Sequence, residues 1–111
     1  MKRYIALLMG SNRPDQPQPD EATVARGMAA WGAWMAQHAG AVEEGGGPCG
    51  KTKLVGPGGI SDIRNDVSGF LVVKAVDQQA AAEMFVGHPH FTIFPGTGVE
   101  IMEVLPIPGA P

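Results

Sequence analysis

The stretch GFLVVKAVDQQAAAEMFVGHPHF, Gly69–Phe91, decides the fold. Gly69–Val76 is a dense apolar run rich in β-branched residues and predicts a strand. Asp77 is placed to cap a helix over Gln78–Val86, with Ala81, Met84 and Phe85 on its apolar side. Gly87-His88-Pro89 ends that helix, because Gly suits the residue after a helix and Pro cannot continue one.

Upstream the chain offers a second strand and helix, with no internal repeat. Arg3–Met9 (RYIALLM) predicts a strand bounded by Gly10-Ser11-Asn12, and the proline-rich Ser11–Pro19 predicts a loop. Asp20 can cap a second helix, with Glu21 in the first turn where the helix dipole favours a carboxylate. Val24, Met28, Trp31, Met35 and His38 form one stripe at helical spacing, and Gly40 is placed to terminate the helix. Gly27 and Gly32 inside it each cost about 1 kcal/mol relative to Ala, which points to close packing there. Gly45–Gly59 is punctuated by Gly and Pro and reads as a loop holding a short strand, Lys53–Val55. Val99–Leu105 predicts the last strand, and a proline-rich tail begins near Pro106.

This order, β-α-β-(β)-β-α-β, predicts an α+β fold of the ferredoxin-like βαββαβ plan: an antiparallel sheet with two helices on one face. Odd and even positions of Tyr4–Met9 and Phe70–Val73 are both apolar, whereas a sheet with one wet face alternates. A second copy covering the other face accounts for this, so a homodimer packed sheet to sheet is expected.

With 111 residues the chain is expected to form a single domain, residues 1–111. Its sixteen Gly and ten Pro, at 44% hydrophobic and only 17% charged residues, fit a globular chain with Gly and Pro gathered in loops. The net charge of −3 with no basic run gives no nucleic-acid footprint. One cysteine, Cys49, excludes an internal disulfide framework. No apolar stretch approaches the ~20 residues of a membrane span, and Met1–Met9 lacks a signal-peptide cleavage site, so a cytoplasmic location is expected. No cofactor is expected.

Gly45–Thr52, GGGPCGKT, matches the phosphate-loop pattern to the letter. That loop needs a helix immediately after its Thr, and here Gly56-Pro57-Gly58-Gly59 follow, so the match is read as coincidence. The histidines carry more. His88 and His90 flank Pro89 at a helix end, where the dipole favours imidazolium. His88 reads either as an acid/base or as a cap for the last carbonyls. No third ligand sits close in sequence, so no metal site is expected. Trp31 reads as core and Trp34 as flanking the core, where it can line a cleft. Asp62, Arg64 and Asp66 alternate and share a side if extended; Arg64 reads as a solvated partner of the carboxylates or as a receiver of an anionic ligand.

The segment MAAWGAWMAQHAGAVEEGGGP, the unit GFLVVKAVDQQAAAEMFVGHPHF and the ending GVEIMEVLPIP resemble YCII-related domain proteins over most of the chain, from Met1 to about Pro108. The resemblance implies a dimeric α+β barrel of the muconolactone isomerase-like kind. It also implies, in a few relatives, action on chlorinated or hydroxylated aromatic-derived rings. In that branch a His early in the first helix pairs with an Asp before the Pro after the second. Those positions fall near Met28 and on His88, so neither expected residue is present. The D-G-P-F hairpin of another branch is replaced by Asp62–Asp66 and Ser68-Gly69-Phe70. The expected site is a cleft near the GHPHF turn taking a small anionic or aromatic-derived molecule. His88 is the candidate acid/base there, and His90, Trp34, Arg64 and Met28 are candidate ligand-binding residues. The alternative is a non-catalytic binding dimer whose histidines are structural.

Overall fold

A computed structural model describes residues 1–10 and 13–109. The chain runs β1 (Lys2–Met9), α1 (Glu21–Gln37), β2 (Val42–Pro48), β3 (Thr52–Gly56), β4 (Gly59–Ile63), β5 (Val67–Ala75), α2 (Gln78–Glu83), α3 (Pro89–Thr92) and β6 (Gly98–Glu103). Four strands form an antiparallel sheet in the order β2-β5-β1-β6, and β3 and β4 form a separate hairpin. This is the expected α+β, ferredoxin-like arrangement with a hairpin inserted between the second and third strands of the main sheet. The expected turn at Ser11-Asn12 lies outside the described residues.

Both expected N-caps form. The Asp20 carboxylate accepts the Thr23 N–H at 2.8 Å, which lowers its pKa, and the Asp77 carboxylate accepts the Ala80 N–H at 2.8 Å. The register of β1 on β5 pairs Tyr4 with Val73 and Ala6 with Leu71, so these side chains share one face. Trp34 from α1, Ala81 from α2 and Phe85 just beyond it cover that face and close the core. Each fully buried large apolar side chain there contributes about 1.5–3 kcal/mol. The opposite face carries Ile5, Leu7, Phe70 and Val72, with Lys74 on β5 and Glu100 and the half-exposed Met102 on β6.

Several sequence expectations shift. Gly45–Pro48 is not loop but the end of β2, an edge strand with two register irregularities against β5. Gly46 sits at φ 62°, and a Cβ there would overlap the Phe70 carbonyl, so only Gly fits the bulge. Lys53–Val55 is the middle of β3, which turns through residues 57–58 into β4; Leu54, Val55 and Ile60 on this hairpin are exposed. The second helix is shorter than expected, ending at Glu83 with Gly87 at φ 74° beyond it, and a separate turn, α3, follows. The first helix ends at Gln37 with His38 as its C-cap, and Gly40 has no left-handed backbone. Its inner face is also rotated from the expected stripe. Gly27 and Trp34 are the buried residues of the helix, whereas Met28 is 59% exposed. Gly27 is closely packed as expected, because its missing side chain is replaced by the Phe94 ring; Gly32 faces open space.

Candidate functional site

A cavity of about 370 Å³ is lined by residues of both the sheet and the first helix. Met28 and Trp31 line it from α1, Leu8 and Leu71 from the sheet, and Gly45, Gly47 and Pro48 from the β2 edge. His90 and Phe94 close the remaining side, where the chain passes through α3, and Ser68 and Phe70 complete the lining from β5. No Lys, Arg, Asp or Glu lines it; His90 is the one titratable imidazole in the wall. Its size falls in the ~300–1,000 Å³ range of small-molecule sites.

The wall is held by local chemistry around α3. Pro89 at the first helical position has no N–H, so the first donor of the turn is His90. That N–H donates to Nδ1 of His88 at 3.0 Å, making His88 the N-cap. The Thr92 hydroxyl donates to the His88 carbonyl at 3.0 Å and tightens the turn further. The ring of His90 lies 2.8 Å through Nε2 from the Met9 carbonyl. A carbonyl only accepts, so neutral His90 carries its proton on Nε2 and keeps a lone pair on Nδ1. Gly96 supports the same ring, since a Cβ at that position would overlap it. Burial lowers the His90 pKa, and the hydrogen bond to Met9 partly offsets the fall.

His88 is set back from this cavity. It is 1% exposed and packs edge-on against Trp31 at 4.6 Å and Trp34 at 4.8 Å between ring centres, with Phe85 at 5.6 Å. Its Nδ1 accepts, so the neutral ring carries its proton on Nε2, an atom buried with no hydrogen-bond partner among the described residues. The expected dipole effect reverses, because His88 begins a helical turn instead of ending one. Burial first, then the neighbouring His90 and His38, lower its pKa to about 4.

The two tryptophans exchange the roles read from the sequence. Trp34 is 6% exposed, and its indole N–H donates to the Met84 carbonyl at 2.8 Å; it belongs to the core. Trp31 lines the cavity. Arg64 lies away from it, beside a separate polar hollow formed with Arg13, Asp15, Asn65 and Asp66, where Arg13 and Asp66 approach to 3.5 Å. Asp62 stays in β4 and pairs with Lys53 at 2.6 Å, while Arg64 and Asp66 lie beyond the strand end, so the three do not share a strand face. Met28 and His90 are thus the candidate ligand residues that the fold brings together, and Trp31 and Phe94 join them unforeseen. The Gly four residues before Trp31, which seats Phe94, is the sequence signal that points to that aromatic wall. Thr52 of the phosphate-loop match opens β3, so no helix N-terminus follows the Gly-rich segment. Among the described residues no group of three or more His, Cys, Asp or Glu gathers as a metal site, and no helix is long and apolar enough to cross a membrane.

No protein-family model matches the chain, and no curated protein does. Among solved structures, the fold is similar to that of 5-chloro-2-hydroxyhydroquinone dehydrochlorinase from Burkholderia phenoliruptrix AC1100 in complex with 2,5-dihydroxybenzoquinone. The TM-score is 0.51 at 16% sequence identity, and the match covers 90% of each chain. At that identity the likeness concerns the fold alone.

Proposed function

We propose that this chain is a YCII-like protein that binds a small, neutral, hydroxylated aromatic molecule in the cavity beside α1. One observation carries the reading: a cavity of about 370 Å³ is walled by Trp31, Phe94, Met28 and Leu8, and it includes His90, whose Nδ1 keeps its lone pair because Nε2 is tied to Met9. Flat apolar walls favour a ring by area and by stacking, and the few acceptors, on His90 and Ser68, favour a hydroxyl donor. An anionic ligand finds no cation in this wall, which sets the expected role of Arg64 aside. The structurally similar dehydrochlorinase is in complex with a hydroxylated six-membered ring, 2,5-dihydroxybenzoquinone, which supports a small cyclic ligand here. If the bound molecule reacts, His90 is the group able to take its hydroxyl proton.

A homodimer accompanies this reading. The sheet face bearing Ile5, Leu7, Phe70 and Val72 lies opposite the one that Trp34, Ala81 and Phe85 cover, and Lys74 and Glu100 on it give two copies opposite charges to pair. The second reading, a non-catalytic binding module, is favoured by one observation: His88 is engaged as a helix cap. A turnover assay on the identified ligand separates the two.

The test is a melting-shift comparison of hydroquinone, a neutral dihydroxybenzene, with benzoate, a carboxylate of similar size. Hydroquinone raises Tm in a dose-dependent manner and benzoate does not. A shift with benzoate alone, or with neither, rejects the reading.

A further inference from the structure

We propose that His88 is a positioning residue for the cavity: its ring holds His90 and Trp31 in the wall, and protonation of Nδ1 releases them. The proposal rests on reading the cavity as a ligand site with His90 as its acceptor.

His88 touches two lining residues without lining the cavity itself. It receives the backbone N–H of His90 on Nδ1, and its ring packs edge-on against Trp31. Because Pro89 supplies no N–H, that one hydrogen bond is the N-terminal tie of the turn that carries His90. The ring is enclosed by Trp31 and Trp34 from α1 and by Phe85 from the end of α2. The titratable groups acting on it are His90 on α3 and His38 at the end of α1, and both are bases. Neither is acidic, so an added charge on His88 meets no partner.

The neutral ring fits this enclosure with its lone pair on Nδ1. Adding a proton there replaces the acceptor by a donor, facing the His90 N–H, which is also a donor. The cap is lost at the same moment as a charge is placed among indole rings. Both effects push the turn away from α1, and the cavity loses its acceptor and one aromatic wall together. Binding therefore depends on His88 staying neutral, apart from any titration of His90.

The test compares wild type with His88→Asn and His88→Leu. Asn keeps a cap acceptor, Oδ1, that does not titrate in this range, and Leu fills the space without an acceptor. Hydroquinone affinity is measured between about pH 7 and about pH 3.5, so that the titration of His88 near 4 is crossed, with circular dichroism at each point to monitor folding. At neutral pH His88→Asn, which keeps the cap but not the ring against Trp31, loses less affinity than His88→Leu, which falls about tenfold or more with the buried hydrogen bond also gone. On acidification wild type loses more affinity than His88→Asn. An equal acid loss in wild type and His88→Asn, or wild-type affinity in His88→Leu, overturns the proposal.

A second measurement does not depend on the ligand. The amide resonance of His90 carries a step that follows the titration of His88 in the nitrogen-15 spectrum of wild type, and in His88→Asn that step is gone while the one from His90's own ring remains. Absence of hydroquinone binding by wild type at neutral pH rejects the ligand reading. The positioning role is then decided on that resonance alone: a His90 amide that ignores His88 overturns it.

Discussion

Nδ1 of His88 accepts the backbone N–H of His90 at 3.0 Å, and only the second of these two histidines lines the cavity. The residue that best fits an acid/base role by its place in the sequence thus becomes the support. Its neighbour two positions on, tied through Nε2 to the Met9 carbonyl, offers the free ring nitrogen. The distinction follows from one proline: with no N–H at position 89, the turn takes its first donor from His90 and needs an acceptor at 88.

Replacing His90 by Phe keeps a ring of similar shape against Trp31 and Gly96 and removes the acceptor. Hydroquinone affinity measured by calorimetry drops at least about tenfold, and stability falls by about 1 kcal/mol through the lost hydrogen bond to the Met9 carbonyl. Affinity equal to wild type in His90→Phe removes His90 from the site.

The two tryptophans respond in opposite ways. Trp34→Phe loses the hydrogen bond to the Met84 carbonyl and destabilises by about 1 kcal/mol or more, with ligand affinity unchanged. Trp31→Ala strips one wall of the cavity and weakens binding more than it lowers stability. Urea denaturation and ligand titration on the same preparations give both quantities, and a reversed order contradicts the assignment.

The glycines of α1 differ in the same manner. A Cβ at residue 27 overlaps the Phe94 ring, so Gly27→Ala forces that ring to move and costs about 1–3 kcal/mol through overpacking. Because Phe94 lines the cavity, affinity falls as well. Gly32 faces open space, and Gly32→Ala stabilises by up to about 1 kcal/mol through helix propensity with affinity unchanged. Thermal melts of the two variants check the opposite signs.

Stability depends on pH through His88. Burial lowers its pKa in the folded chain from 6.5 to about 4, whereas the unfolded chain keeps the ordinary value. Between those values the unfolded chain binds more protons, so unfolding becomes easier as pH falls. The stability is full above about pH 6.5 and declines towards pH 4, by at most about 3 kcal/mol from this residue. The lowered pKa of His90 acts in the same direction. Urea midpoints across that window decline in wild type and decline less steeply in His88→Asn, where the part due to His90 remains; identical slopes reject the assignment to His88.

The parts of the fold readable in the sequence are those fixed by neighbours along the chain. Asp20 and Asp77 cap their helices because a carboxylate needs only the N–H three residues on. β1 and β5 show as apolar runs because each is long enough to pattern. The β2 edge is hidden under its own glycines: Gly45–Pro48 form a strand only because β5 lies beside them, and Gly46 takes a backbone that other residues avoid. α3 is four residues long, too short for any periodicity. The rotation of α1 that buries Trp34 and turns Met28 outward depends on where Phe94 finds room, which it does at Gly27. The cavity draws on residues from both ends of the chain, so only His90 and Met28 of the candidate ligand residues meet there.

The most direct measurement is a crystal structure of the chain grown with hydroquinone. The account predicts a ring lying between Trp31 and Phe94 with one hydroxyl within hydrogen-bond distance of His90 Nδ1, and His88 unmoved beneath it. A ring bound instead in the polar hollow beside Arg64, or an empty cavity at saturating hydroquinone, contradicts it.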